Sequence, residues 1–397
     1  MRPRPFWTER IEQAWTQRSI VWLPGVRRVG KTTLATSLPA TESFDCERPR
    51  IRRLLDDPEG FLASVRGRRI VLDEVHRLAH PAELLKLAAD HYPDVHVLAT
   101  GSSVLGASAR FRDSLTGRKR EVWLTPMAWA DQDAFGPTTL PHRLLRGGLP
   151  PFFLAPAFPE TDFQEWMDAF WARDIQELFR LERRQSFQRF VELVLAQSGG
   201  IFEATRFARD CEVSRTTIGN YLGVLDATFV AHIVRPFTTR RATEILAAPK
   251  VYGFDTGFAA YFRGWHELRR EDLGALWEHY VLNELHASLQ TRDVRYWRDK
   301  QGHEVDFVIA RRGAPPTAIE CKWSAGDWDS ASLRVFRRIY PKGETFLVAQ
   351  DVVRRTTRRI GEMIVTVTSL PDLIADLRRA AKDLSSYDSV ASVVDVE

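Results

Sequence analysis

The run Gly25-Val26-Arg27-Arg28-Val29-Gly30-Lys31-Thr32 has the spelling of a phosphate loop. Its glycines let backbone N–H groups curl around phosphate oxygens at a helix N-terminus, its lysine reaches the β and γ phosphates, and its Thr32 hydroxyl ligates magnesium. Gly25 through Lys31, Thr32 and Thr33 are therefore the expected nucleotide-contacting residues, with Val26 and Val29 contributing backbone groups. A second signal is Asp73-Glu74, which closes the apolar run Arg69 to Leu72. Asp73 should hold the metal's outer shell and Glu74 should polarise an attacking water. A third run, Val95 to Ala99, ends in Thr100-Gly101-Ser102-Ser103, where Ser102 could sense the γ-phosphate. A plain strand-to-helix turn and a solvated strand end are the bland alternatives, and the three signals in order favour triphosphate hydrolysis over them.

A second constellation lies far along the chain. Glu304 to Trp323 alternates apolar and polar residues on both sides of a Gly/Pro turn, which is hairpin patterning. A turn centred near Ala314 sets Asp306 opposite Lys322 and Val308 opposite Glu320, with Asp306, Glu320 and Lys322 on one face. Two carboxylates can hold a divalent metal, Mg2+ or Mn2+, that activates water against a phosphodiester, and Lys322 can position that water or neutralise developing charge. A cross-strand ion pair on a solvated sheet face is the alternative.

The elements that must position these groups follow from periodicity. Ser19 to Leu23, Arg69 to Leu72, Val95 to Ala99 and Glu121 to Leu124 read as buried strands between helical stretches, the rhythm of an α/β parallel sheet. From Leu140 to about Arg184 the period is helical, and its aromatics read as core. Phe207 to Leu222 reads as helix, tight turn, helix, with Ser214 as N-cap. Arg215, Thr216, Thr217 and Asn220 fall on its exposed face, and Ile218, Tyr221 and Leu222 point inward. Phe229 to Pro236 is then expected as a wing hairpin with Arg235, Arg240 and Arg241 near its tip. A winged helix either contacts DNA or only packs, and both readings stand.

With 397 residues, 44% hydrophobic and 27% charged, the chain has enough apolar material for several cores and is not a disordered polymer. No apolar run approaches the ~18 residues that cross a bilayer, and the start lacks the apolar core of a signal peptide, so a cytoplasmic location is expected. Cys46, Cys211 and Cys321 are too scattered for a disulfide framework. The net charge of +4 permits an acidic partner such as DNA without requiring one.

In this order, phosphate loop, Asp-Glu strand and Thr/Ser-ended strand resemble an AAA-type ATPase. The resemblance implies ATP and Mg2+ as ligands and an arginine, here Arg118 ahead of the strand Glu121 to Leu124, that reaches a neighbouring subunit's γ-phosphate. A homo-oligomer is thereby implied. The C-terminal hairpin resembles the PD-(D/E)xK restriction-endonuclease-like fold, in which an acid on the preceding helix, here Glu278, adds a metal ligand. Val305 stands where that family usually has proline. Over its length the chain resembles a prokaryotic family of AAA-type ATPases with a winged-helix middle and a C-terminal nuclease-like domain, a resemblance also carried by Arg146 to Pro150 and Tyr252 to Gly257. The implied layout is an AAA core over 1–135, a helical lid over 136–185, a winged-helix-like segment over 186–245, a nuclease-like α/β domain over 246–383 and a loose tail over 384–397. The leading expectation is a Mg2+-dependent ATPase whose nucleotide state controls the nuclease-like domain on DNA. The rival is an ATP-driven switch or scaffold whose non-catalytic C-terminal domain docks a protein partner.

Overall fold

Ile20–Leu23 (β1) consists of four residues buried on both faces, as a strand covered by helices on either side must be. In the computed structural model, which describes residues 2–101, 109–176, 183–239, 248–311 and 313–391, β1 lies inside a five-stranded parallel sheet. The other strands are Thr41–Asp45 (β2), Arg69–Asp73 (β3), His96–Thr100 (β4) and Lys119–Glu121 (β5), in the order β2-β3-β4-β1-β5. β2 is an edge strand with only Phe44 buried, so its polar sequence gave no apolar run to read. β5 ends earlier than expected, although Val122 N still donates to Trp22 O and Leu124 N to Pro24 O. Ile20, Trp22, Ile70, Leu72, Val97, Ala99 and Phe111 meet in the core of this sheet.

The chain divides into two units, Met1–Leu193 with Thr205–Ala231, and Val194–Ala204 with His232–Glu397. Unit 1 opens with α1 (Pro5–Trp15) and carries α2 (Lys31–Thr36) directly after the phosphate loop. Its helical connector includes α3 (Glu160–Ala169), which continues into a π-helical segment, Phe170–Ile175. Phe163, Trp166, Phe170 and Trp171 are buried there, in keeping with the core reading. The helix-turn-helix is present as α4 (Ala204–Asp210) and α5 (Arg215–Ala227). Ser214 caps α5 by accepting from Thr217 N at 3.1 Å, and Ile218, Tyr221 and Leu222 are buried.

The segment expected as a wing is one strand of a larger sheet, where it neighbours Lys250–Gly253. Ala231–Pro236 (β7) pairs in parallel with Arg295–Arg298 (β9), Arg235 facing Arg295, inside the nine-stranded sheet of unit 2. Ala231, His232 and Val234 are buried and need cover that a two-stranded wing cannot give. Arg240 and Arg241 lie outside the described residues.

The remaining strands of that sheet are Gly200–Ile201 (β6), Lys250–Gly253 (β8), Glu304–Ile309 (β10), Thr317–Lys322 (β11), Thr345–Ala349 (β12), Thr356–Ile360 (β13) and Met363–Thr368 (β14). Their order is β13-β14-β12-β11-β10-β9-β7-β8-β6. β10 and β11 form the expected antiparallel hairpin, but Phe307 faces Ile319 and Val308 faces Ala318, which sets Asp306 opposite Glu320 and not Lys322. The turn centres on Gly313, whose φ of +76° is a conformation glycine adopts without strain, instead of on Ala314. The shift is two residues, so Asp306, Glu320 and Lys322 keep a common face. α6 (Arg270–Leu289) packs on β11, and its Trp277 indole donates to Val348 O at 3.3 Å. The last helix, Leu370–Ala391, runs past the boundary set at 383. Among the described residues no helix is long and apolar enough to cross a membrane.

Candidate functional site

The loop after β1 turns on two glycines for different reasons. A Cβ at Gly25 would meet Leu124 O at 2.4 Å, and Gly30 takes φ +97° as the residue that opens α2. Lys31 then begins the helix with its ammonium over the loop, donating to Gly25 O at 2.8 Å and Val26 O at 3.2 Å. Burial pulls the Lys31 pKa down, opposed by Glu74, Asp174 and Asp73. The loop rims a cleft of about 460 Å³, lined by every residue from Gly25 to Thr33 and by Glu74, so the nucleotide-contacting set apart from Ser102 is gathered in one place. Ser102 lies outside the described residues.

β3 delivers the acids. Asp73 is buried and accepts hydrogen bonds from the Thr32 and Thr100 hydroxyls; burial pushes its carboxyl up while those two bonds oppose the shift. A hydroxyl and a carboxylate joined across the mouth of a phosphate loop are hard oxygen donors suited to Mg2+. Glu74 has φ +55°, a strained backbone for a non-glycine residue, and its amide donates to Thr100 Oγ1 at 3.2 Å. Its carboxylate lies 3.0 Å from His76 Nδ1. Burial alone would raise the Glu74 pKa, but the His76 hydrogen bond and the Lys31 ammonium outweigh it, and the carboxyl falls below the ordinary range. Glu74 is thus ionised at neutral pH and suited to orienting a water more than to removing its proton early.

Several cleft residues were not legible beforehand: His76, Arg77, Glu47, Asp174, Pro150 and Trp166. The Glu74-x-His76 spacing was the one local signal that could have pointed to His76. Arg4 is another. It is buried, bridges Asp131 through Nε at 3.0 Å and Nη2 at 2.6 Å, and donates from Nη1 to Val29 O at 3.1 Å, tying the start of α1 to the loop. Arg118 is not among the cleft residues. It precedes β5, whose parallel pairing sets Lys119 beside Ile20 at the end of β1 remote from the loop, and its Nε lies 2.6 Å from Asp90.

In unit 2 the structure brings Asp306, Glu320 and Lys322 together. Asp306 Oδ2 accepts from Cys321 N at 2.7 Å, and Lys322 Nζ donates to Glu320 Oε1 at 2.8 Å. Glu320 Oε2 is buried with no hydrogen-bond partner. Burial, with Glu320 and Glu278 nearby, pushes the Asp306 carboxyl well up; burial also raises Glu320, against Lys322. Glu278 is engaged otherwise: Lys250 Nζ lies 3.1 Å away and also pairs with Glu304, and the Tyr252 hydroxyl donates to Glu278. Burial lowers Lys250, but Glu278, Asp306 and Glu304 raise it further. Among the described residues no group of three or more His, Cys, Asp or Glu side chains is arranged to hold a metal. Asp306 and Glu320 share one face of the hairpin, while Lys250 pairs with Glu278 and Glu304.

The parallel sheet, the loop at the end of β1 and the Thr32–Asp73–Glu74 array define an AAA-type P-loop ATPase domain, and a family model described as "AAA domain" matches residues 17–131. Two further models, described as domain of unknown function DUF8612 and DUF4143, match residues 137–269 and 273–373. The chain is 28% identical over 392 residues to "Uncharacterized protein Rv2008c" of Mycobacterium tuberculosis, covering 93% of this chain and 86% of that one. It is equally similar to "Uncharacterized protein Mb2031c" of Mycobacterium bovis. Among solved structures, the Walker-type ATPase PABY2304 of Pyrococcus abyssi aligns at TM-score 0.44 and 15% identity, over 66% of this chain and 96% of that one. A STAND protein with a tetratricopeptide repeat sensor, PH0952 of Pyrococcus horikoshii, aligns at TM-score 0.28 and 13% identity, over 71% and 44%.

Proposed function

We propose that unit 1 binds and hydrolyses ATP with Mg2+ and that its nucleotide state governs unit 2, which acts on DNA. The observation that carries the first half is the Thr32–Asp73–Glu74–His76 chain beside the loop lysine. Mg2+ held by Thr32, with Asp73 in its outer shell, would neutralise phosphate charge. The loop's backbone N–H groups and Lys31 hold the phosphates. Glu74, fixed by His76, orients a water whose oxygen bonds to the γ-phosphorus as the bond to the β–γ bridging oxygen breaks. The electron pair leaves with ADP, and the water's proton passes to the released phosphate and solvent.

The second half is supported by Asp306, Glu320 and Lys322 on one face, with an orphaned carboxylate oxygen that a cation would satisfy. The rival reading, a non-catalytic domain that docks a protein partner, draws support from Lys250, which already compensates Glu278 and Glu304. Incubating plasmid and single-stranded DNA with Mn2+ or Mg2+, with and without ATP, separates them. Nuclease action predicts metal-dependent nicking that falls at least ~100-fold in Asp306→Ala and Lys322→Ala. No nicking by the wild type under any nucleotide, with a binding slope insensitive to salt, contradicts it in favour of the scaffold.

A further inference from the structure

Arg27 and Arg28 line the cleft from within the phosphate loop, yet both spend their charge on one helical segment. Arg27 Nε lies 3.3 Å from Asp174 Oδ2. Arg28 reaches Asp162 Oδ1 and Glu165 Oε2, each at 3.5 Å. The Trp166 indole adds a fourth tie by donating to Arg27 O at 3.0 Å. All four partners belong to α3 and its π-helical continuation, a geometry that recurs at functional sites. Asp174 is mostly buried and itself lines the cleft, so the arginine and its counter-ion share the space where phosphates would enter.

These pairs are suited to exchange. At 3.3–3.5 Å they are longer than a good charge-assisted hydrogen bond, and those of Arg28 are half-exposed and screened. A triphosphate presents several negative charges and paired oxygens that match the guanidinium fork. Charge in phosphoryl transfer spreads over the equatorial γ-oxygens, and an arginine aimed there is the usual stabiliser. Arg118 stands apart from the cleft and cannot serve its own chain from its position before β5.

Resting on the reading that this loop binds ATP, we infer that Arg27 is an in-chain arginine finger whose resting counter-ion is Asp174. Triphosphate draws Arg27, and with it Arg28, from the acids of residues 160–175, and loss of the γ-phosphate returns them. Arg27 forms no covalent bond; it donates hydrogen bonds to the transferring group. Its release of α3 is the means by which the loop's occupancy is felt outside the cleft.

The test uses the full chain as wild type, Arg27→Ala, Arg27→Lys and Asp174→Asn, each checked for folding by thermal melting. ADP and ATPγS affinities, single-turnover ATP hydrolysis and hydrogen exchange over residues 160–176 are measured. In Arg27→Ala, hydrolysis should fall by at least ~100-fold with ADP affinity within about threefold, while the preference for ATPγS over ADP is lost. Arg27→Lys should recover only part of the rate, because a point charge lacks the fork. Residues 160–176 should exchange faster in wild type with ATPγS than without, and Asp174→Asn should exchange fast without nucleotide. Wild-type hydrolysis in Arg27→Ala, equal loss of ADP and ATPγS affinity, or exchange unmoved by ATPγS would each overturn the inference while leaving the nucleotide site standing. Failure of the wild type to bind either nucleotide would instead remove the reading beneath it.

Discussion

Glu74 illustrates how one residue's chemistry is set by neighbours that sequence order does not reveal. Its backbone takes a strained φ and its carboxylate meets His76 Nδ1; that bond, with the Lys31 ammonium, keeps it ionised against burial. Removing the partner should therefore act through Glu74. In His76→Ala, kcat should drop by about tenfold with KM for ATP little changed. The acid limb of the pH–rate profile should move to higher pH, because a group that lowered the Glu74 pKa is gone. An unchanged profile would assign His76 to packing alone. The phosphate loop, Asp73 and Glu74 were legible because their chemistry is written in consecutive residues next to recognisable strands. His76, Asp174 and Arg4 were not, since a histidine, an aspartate or an arginine acquires meaning from what folding sets beside it. Asp174 lies far from Arg27 in sequence, and nothing local marks either as the other's partner.

At the level of elements, the start of α1 is held by the buried Arg4–Asp131 ion pair and tied to the phosphate loop by the Arg4 hydrogen bond to Val29 O. Asp131 accepts from Arg4, from the Trp7 indole at 3.0 Å and from Ala128 N at 3.0 Å, so the carboxylate is fully used. Arg4→Ala would strand it. The expected cost is about 3–5 kcal/mol of unit 1 stability, with weaker ATP binding because Val29 O loses its donor; calorimetric unfolding and nucleotide titration check both. In unit 2, His232 on β7 and His286 on α6 meet with ring centroids 4.7 Å apart, and burial holds His286 down to about 3 and His232 well below the usual range. Unfolded, each would bind a proton below about pH 6.5; folded, neither does until far lower pH. Unit 2 should therefore lose on the order of 1–3 kcal/mol per histidine as pH falls from 6.5 towards 4, and His286→Phe should flatten that slope in pH-dependent urea melts. The same elements show where pattern reading stops. The β10–β11 hairpin and the common face of its three polar residues were legible from period 2, while its register was not, because Gly313 and not Ala314 centres the turn. β7 looked like a wing because its pairing with β9 joins residues remote in sequence.

The whole chain is two units threaded through each other's sequence: Val194–Ala204 belongs to unit 2, and Thr205–Ala231 returns to unit 1. Neither segment announces this in composition. Such threading gives the nucleotide site covalent connections to unit 2 at several points. Lys31 anchors the proposed nucleotide site, and the direct measurement is equilibrium ATPγS binding alongside ATP turnover for wild type, Lys31→Ala and Glu74→Gln. Lys31→Ala should lose both, by at least ~100-fold in turnover, and Glu74→Gln should bind as wild type does but turn over at least ~100-fold more slowly. If all three bind and hydrolyse alike, or the wild type does neither, the nucleotide site is misassigned and the functions built on it fall with it.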